Sequence, residues 1–256
     1  MARRETYRSR NIDKLEDEKP GFYSKVDFTI NPTLQQEFAE GRLLLINKPL
    51  HWTSFDIIRK LRDLLGIKKI GHAGTLDPLA TGLLIVCTGK FTKRINEYMA
   101  QEKEYTGHFT LGAVTPSYDL ETEPEQQKDY SFVTFETLNE AAHKFIGEIE
   151  QAPPVYSAIK KDGKRLYELA RKGEEVVLEK RKVTIDNFEI THNNLPIIEF
   201  KITCSTGTYI RSLANDFGVA LGCGAYLSSL CRTRIGEFKL EDSITVSGFE
   251  EEIRKK

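Results

Sequence analysis

Cysteine is scarce in this chain and unpatterned: Cys87, Cys204, Cys223 and Cys231 form no C-x-x-C pair. Their apolar neighbours argue against zinc ligation and disulfides and favour reduced, mostly buried thiols, which fits a cytoplasmic protein. Long apolar runs are missing as well. No stretch approaches the length that spans a bilayer, and the N-terminal MARRETYRSRNIDKLEDEKPG has no signal-peptide core, so neither membrane insertion nor secretion is expected. Charge of one sign is not in excess either: 37 Lys and Arg face 38 Asp and Glu, so any polyanion must be held by local patches.

Several catalytic signatures are absent. H-E-x-x-H, G-x-S-x-G and G-x-G-x-x-G do not occur, which removes the usual supports for zinc hydrolysis, serine-esterase chemistry and dinucleotide binding. TGKFT at 88 to 92 imitates a phosphate loop, but Gly82 stands too far before Gly89 and Phe91 occupies the hydroxyl position after Lys90. No metal ligand set is assigned.

What remains is an ordinary globular composition, 39% hydrophobic and 29% charged, in a chain of 256 residues that can bury one main domain. Residues 1–40 read as a charged, mobile extension, 41–240 as the folded domain, 147–176 as a basic insertion within it, and 241–256 as a tail. RLLLINKP predicts a strand, and SFDIIRKLRDLLG a helix with Ser54 as its N-cap and Gly66 as its stop. GLLIVC and KEYTGHFTLGA predict strands, the second with Tyr105, Phe109 and Leu111 on one face. TFETLNEAAHKFIG predicts a helix ending at Gly147, VTIDNFEI and IIEFKITCS strands, TYIRSLANDFGVALG a helix, and LSSLCRTRIGEF a strand pair. The acidic YDLETEPEQQKD reads as a solvated loop. The irregular interspersion of strands and helices, with no internal repeat, indicates an α+β fold.

GHAGTLDPLATGLL, residues 71–84, surrounds Asp77 with constraints. Pro78 keeps Asp77 out of helical angles, Gly74 and Gly82 permit sharp turns, and Thr75 and Thr81 can tie backbone groups. The loop therefore presents one carboxylate stiffly, either as a turn-former or as a reactive group. Two basic patches, 58–72 and 160–172, flank aromatic residues; Tyr105, Tyr156, Tyr167 and Tyr209 could stack on unpaired bases.

Taken together, INKPLHWTSFD, GHAGTLDPLATGLL, KEYTGHFTLG, QAPPVYSAIKKDGKRLYELARKG, CSTGTYIRSLANDFG and LSSLCRTRIGEF resemble, in order, the blocks of the TruB family of tRNA pseudouridine synthases from about Gly41 to Phe238. The resemblance implies the pseudouridine synthase fold, with a mixed, largely antiparallel sheet. It implies conversion of uridine to pseudouridine in the T-loop of tRNA (position 55) by base flipping, without cofactor or metal. Asp77 would be the essential carboxylate, as nucleophile or as base. Arg211 would pair with it and favour its charged form. Tyr105 would stack on the extruded uracil and relay the proton from carbon 5, Leu230 and Tyr209 would line the pocket, and His72 would fill the space the nucleotide leaves.

Lys48 with Pro49 would brace the loop, and Lys93 would touch backbone or phosphate. Lys160, Lys161, Lys164, Arg165, Arg171 and Lys172 would grip the RNA from a hinged flap. The implied partner is the T-stem and T-loop of tRNA, with no guide RNA and no required protein partner. Only about 18 residues follow Phe238, so the PUA domain that ends many family members is not expected. Two other readings stay open: a noncatalytic RNA-binding module, and an N-glycosidase with a second acid, for which Asp56 is the nearby candidate.

Overall fold

The structure is a computed structural model describing residues 28–154, 160–161, 164–165 and 179–255. Tyr156, Tyr167, Arg171 and Lys172 lie outside the described residues. In chain order the elements are α1 (Pro32–Glu40), β1 (Leu43–Lys48), α2 (Ser54–Leu65), β2 (Ile70–Ala73), β3 (Ala80–Thr88), α3 (Ile95–Ala100) and β4 (Lys103–Leu111). Then come α4 (Phe135–His143), β5 (Gly147–Gln151), β6 (Lys160–Lys161), β7 (Lys164–Arg165), β8 (Arg181–Asn194) and β9 (Ile197–Cys204). The chain closes with α5 (Ile210–Leu221), β10 (Ala225–Ile235), β11 (Phe238–Lys239), β12 (Ile244–Thr245) and α6 (Val246–Lys255).

A ten-stranded sheet organises these elements in the order β12-β1-β3-β10-β4-β9-β8-β5, with β2 added to β3 and β11 to β10. Two of its ladders are parallel, β1 with β12 and β3 with β10, and the rest are antiparallel. This is the mixed α+β sheet that the sequence indicates. Strand β3 is buried along almost its whole length, which explains why GLLIVC is a continuous apolar run: both of its faces are covered. β4 alternates as expected, with Tyr105, Phe109 and Leu111 buried.

The largest core lies between the sheet and α4 and α5, where Phe109, Phe188, Phe200 and Phe217 cluster at ring separations of 4.3 to 6.1 Å. A second core packs α1, α2 and α6 on β1 and β3 through Phe38, Ile46, Leu61, Leu84 and Phe249. The cysteines are free, with Cys87, Cys204 and Cys223 buried.

Both expected chain ends differ from the reading above. Within the expected 1–40 extension, residues Pro32–Glu40 form a helix capped by the Asn31 side chain, and Phe38 packs edge-on against Phe249 at 6.0 Å. Within the expected 241–256 tail, α6 buries Phe249 and Ile253, and its Glu250 meets Lys60 of α2 at 2.6 Å. Two short helices that each look too polar to fold alone thus cover one another.

Two local boundaries shift as well. The N-cap of α2 is Thr53, in a reciprocal capping box with Asp56, instead of Ser54. Gly147 does not end a helix; it opens β5, so residues 147–151 of the expected insertion are an edge strand of the main sheet. The backbones of Lys160, Lys161, Lys164 and Arg165 pair as the two-stranded ladder β6-β7.

Candidate active site

Asp77 sits in the loop between β2 and β3, and three bonds from the β1-α2 segment hold that loop. The Ser54 hydroxyl accepts from Leu76 N (2.9 Å) and donates to Leu76 O (3.2 Å), and His51 N donates to Pro78 O at 2.8 Å. Lys48 is fully buried and fixes the same segment by donating to Pro49 O (2.9 Å) and Trp52 O (2.6 Å). Burial brings its pKa down to about 8, with Asp77 opposing that fall. A turn bond from Ala80 N to Asp77 O (3.1 Å) closes the loop as Pro78 requires.

The Asp77 carboxylate faces Arg211 of α5, 134 residues away in sequence. Arg211 forms an ion pair with it, Nε lying 3.0 Å from Oδ2, and one terminal nitrogen donates to Oδ1 at 3.3 Å. The other terminal nitrogen lies 3.5 Å from Asp119 Oδ2. Arg211 thus bridges two carboxylates of unequal access: the Asp77 side chain is 36% exposed and the Asp119 side chain 4%. Protein around Asp77 pushes its pKa above the ordinary carboxylate value; Arg211 pulls it back, Asp119 adds to the rise and Lys48 opposes it.

The open side of Asp77 looks into a cavity of about 370 Å³, within the size range of small-molecule sites. Tyr105, Tyr209, Leu230 and Arg211 line it together with Asp77. Tyr105 is held between Arg232 of β10 and Ile202 of β9, and burial raises its pKa, so it stays a neutral phenol. Leu230 lies opposite Ala80 on one side and Gly107 on the other. The backbone of Tyr209 is clamped by the buried Gln151 side chain, which accepts from Tyr209 N (2.7 Å) and donates to Tyr209 O (3.0 Å).

Other expected site residues stand apart from this cavity. His72 is half-buried on β2, off the cavity lining; burial and the Arg232 charge lower its pKa, leaving a neutral ring. Lys93 is exposed on the 3₁₀ turn Gly89–Arg94, also off the lining. Part of the 58–72 patch is neutralised within the protein, Arg59 by Asp56 at 3.0 Å and Lys60 by Glu250. Asp56 caps α2 and pairs with Arg59, so it is not the second acid of the site.

The carboxylate beside Asp77 is instead Asp119, from the stretch expected to be a solvated loop. That stretch is partly built into the fold: Leu227 N donates to Tyr118 O (2.9 Å), Val114 bridges Glu125, and Glu121 N donates to Asp119 Oδ1 at 3.0 Å. Arg232, Lys103 and Arg181 are further cavity residues that sequence reasoning missed. A buried arginine such as Arg232 leaves one trace in sequence, a cation inside an otherwise strand-forming run. Among the described residues no cluster of three or more His, Cys, Asp or Glu side chains could hold a metal ion, and no helix is long and apolar enough to cross a membrane.

The mixed α+β sheet thus carries an arginine-held carboxylate, Asp77, at a cavity lined by Tyr105 and Tyr209. The model of the TruB family pseudouridylate synthase N-terminal domain matches residues 62–210, and that of the tRNA pseudouridylate synthase B C-terminal domain matches 211–256. The chain is 54% identical to tRNA pseudouridine synthase B of Flavobacterium johnsoniae over 226 residues, 86% of this chain and 99% of the relative. It is 53% identical to tRNA pseudouridine synthase B of Phocaeicola vulgatus over 84% of this chain and 94% of the relative. A solved Cbf5-Nop10-Gar1 complex contains a chain similar over 90% of this one and 60% of its own length, at TM-score 0.67 and 27% identity. The chain belongs to the TruB family and is a tRNA pseudouridine synthase, an isomerase.

Proposed function

We propose that the chain isomerises a uridine of the tRNA T-loop inside the Asp77 cavity, with Asp77 as the reacting carboxylate. The N1–C1′ bond breaks, the uracil turns, and a C5–C1′ bond forms; C5 gives up a proton and N1 gains one, so composition is unchanged. Such a balance calls for no redox partner. Asp77 acts either as nucleophile toward the substrate or as the base that removes a sugar proton, and both roles need its charged form. The observation that carries the reading is the Arg211 ion pair, 3.0 Å from Oδ2 with one hydrogen bond to Oδ1 at 3.3 Å, which favours that charged form where burial opposes it. Asp119 acts through Arg211, holding the guanidinium from behind.

Tyr105 and Leu230 form the walls between which the uracil stacks and turns, and the neutral phenol of Tyr105 is suited to relay the C5 proton. Tyr209 shapes the rim, and Lys48 sets the loop through its two carbonyl bonds. Extrusion of a base costs a few kcal/mol, which a neutral His72 offsets by filling the gap in the stack. Lys93 and the basic residues Lys160, Lys161, Lys164, Arg165, Arg171 and Lys172 grip the T-stem and T-loop backbone, without a guide RNA.

The test is tritium release from tRNA carrying uridine labelled at C5, with the product mass measured alongside. Release at unchanged RNA mass is the expected result. Release of free uracil would replace this reading with a glycosidase, and tight binding without release would replace it with a binding module.

A further inference from the structure

Among the described residues, four cations line the cavity, Lys103, Arg181, Arg211 and Arg232, against a single carboxylate, Asp77. Three of them are committed inside the protein. Arg211 holds Asp77 and Asp119, Arg232 donates to Leu83 O (2.8 Å) and Gly74 O (3.1 Å), and Lys103 donates to the carbonyls of Met99 and Gln101.

Arg181 differs from these three. It opens β8, is half-buried, and forms no ion pair with a carboxylate among the described residues. Its guanidinium carbon lies 4.5 Å from the centre of the Tyr209 ring, and one terminal nitrogen donates to Gly207 O. Its Nε is buried with no acceptor among the described residues. A planar cation laid on an aromatic face is held in place, and its other terminal nitrogen is left in a fixed position from which it can donate to a phosphate oxygen. Ser205, Thr206 and Thr208 line the cavity beside it and add hydroxyl groups rather than negative charge.

We propose that Arg181 binds a phosphate flanking the uridine whose base enters the cavity. The inference rests on the function proposed above. While the uracil is detached, the ribose must stay in register, and a charged clasp on the adjoining phosphate does this without touching the reacting atoms. Arg181 is thus a substrate-positioning residue.

The experiment is a binding cycle between wild-type protein and Arg181→Gln on T-arm hairpins. The hairpins carry either natural phosphates or one uncharged methylphosphonate, placed on the 5′ or the 3′ side of the target uridine. At one of these positions the uncharged linkage is expected to weaken wild-type binding about ten-fold while leaving Arg181→Gln, already about ten-fold weaker, unchanged. The variant's plot of log affinity against log salt is expected to be less steep by about one. Equal losses for both proteins at both positions, or wild-type affinity in Arg181→Gln, would overturn the proposal. Equal thermal midpoints for the two proteins are the accompanying expectation; a loss of binding that tracks unfolding would also count against it. Because the cycle reads binding without turnover, a wild-type protein that binds but releases no tritium would sink the isomerase mechanism separately.

Discussion

Two loops bring carboxylates to Arg211, and they are built in opposite ways. The loop around Asp77 is short and stiff, pinned by Ser54, His51 and its own Pro78. The segment around Asp119 is longer and reaches the site only because its backbone bonds to β10, at Leu227, and folds back between Val114 and Glu125. The stiff loop leaves its carboxylate open to the cavity, and the longer one closes its carboxylate off. Access, more than chemical type, separates a carboxylate that can react from one that can only hold a partner in place.

The sharpest break in this comparison is Asp77→Asn. Loss of the one open carboxylate that lines the cavity among the described residues is expected to cut kcat by more than about 10³-fold while tRNA affinity survives, as single-turnover and filter-binding assays would show. Arg211→Gln comes next, with kcat lower by about 10²- to 10³-fold. It also changes the pH profile. In the proposed mechanism Asp77 reacts ionised, so activity is expected to fall as pH drops through a pKa that burial has raised; without the Arg211 charge burial is less opposed, and the acid limb moves to higher pH.

Asp119→Asn has a smaller cost, about ten-fold in kcat, and the opposite sign in pH. Removing a negative neighbour lowers the Asp77 pKa, so its acid limb moves to lower pH than that of the wild type. Acid limbs that shifted the same way in both variants would contradict the bridging role of Arg211. The smallest effect belongs to Ser54→Ala, which strips two bonds from Leu76. A loss of about 1 kcal/mol in urea unfolding is expected, with little change in tRNA affinity.

How much of this was legible in the sequence follows the same division. Asp77 could be read because its constraints are local: a proline, two glycines and two threonines within a few residues. Arg211, Tyr105, Tyr209 and Leu230 carry no such local mark; a resemblance of ordered blocks pointed to them, and the sheet brings them to one cavity. Asp119 could not be read, since an aspartate in an acidic stretch has the same neighbours whether it is solvated or buried, and its fate depends on Leu227, 108 positions later. α1 and α6 were misjudged for a related reason. Each has one narrow apolar edge, and Phe38 and Phe249 make sense only as a pair.

Gly82 carries a consequence for how the enzyme can move. A side chain there would meet the backbone of Arg232 at 2.4 to 2.7 Å, and the backbone already adopts φ +103°, so the two parallel strands touch with nothing between them. Arg232 then stitches the same contact to Leu83 O and Gly74 O. The floor that carries Asp77 is therefore a close-packed pair of backbones, β3 and β10, with no side chain at Gly82 to yield between them. Room for a substrate is thus made by the side chains at the rim of the cavity more readily than by parting these two strands.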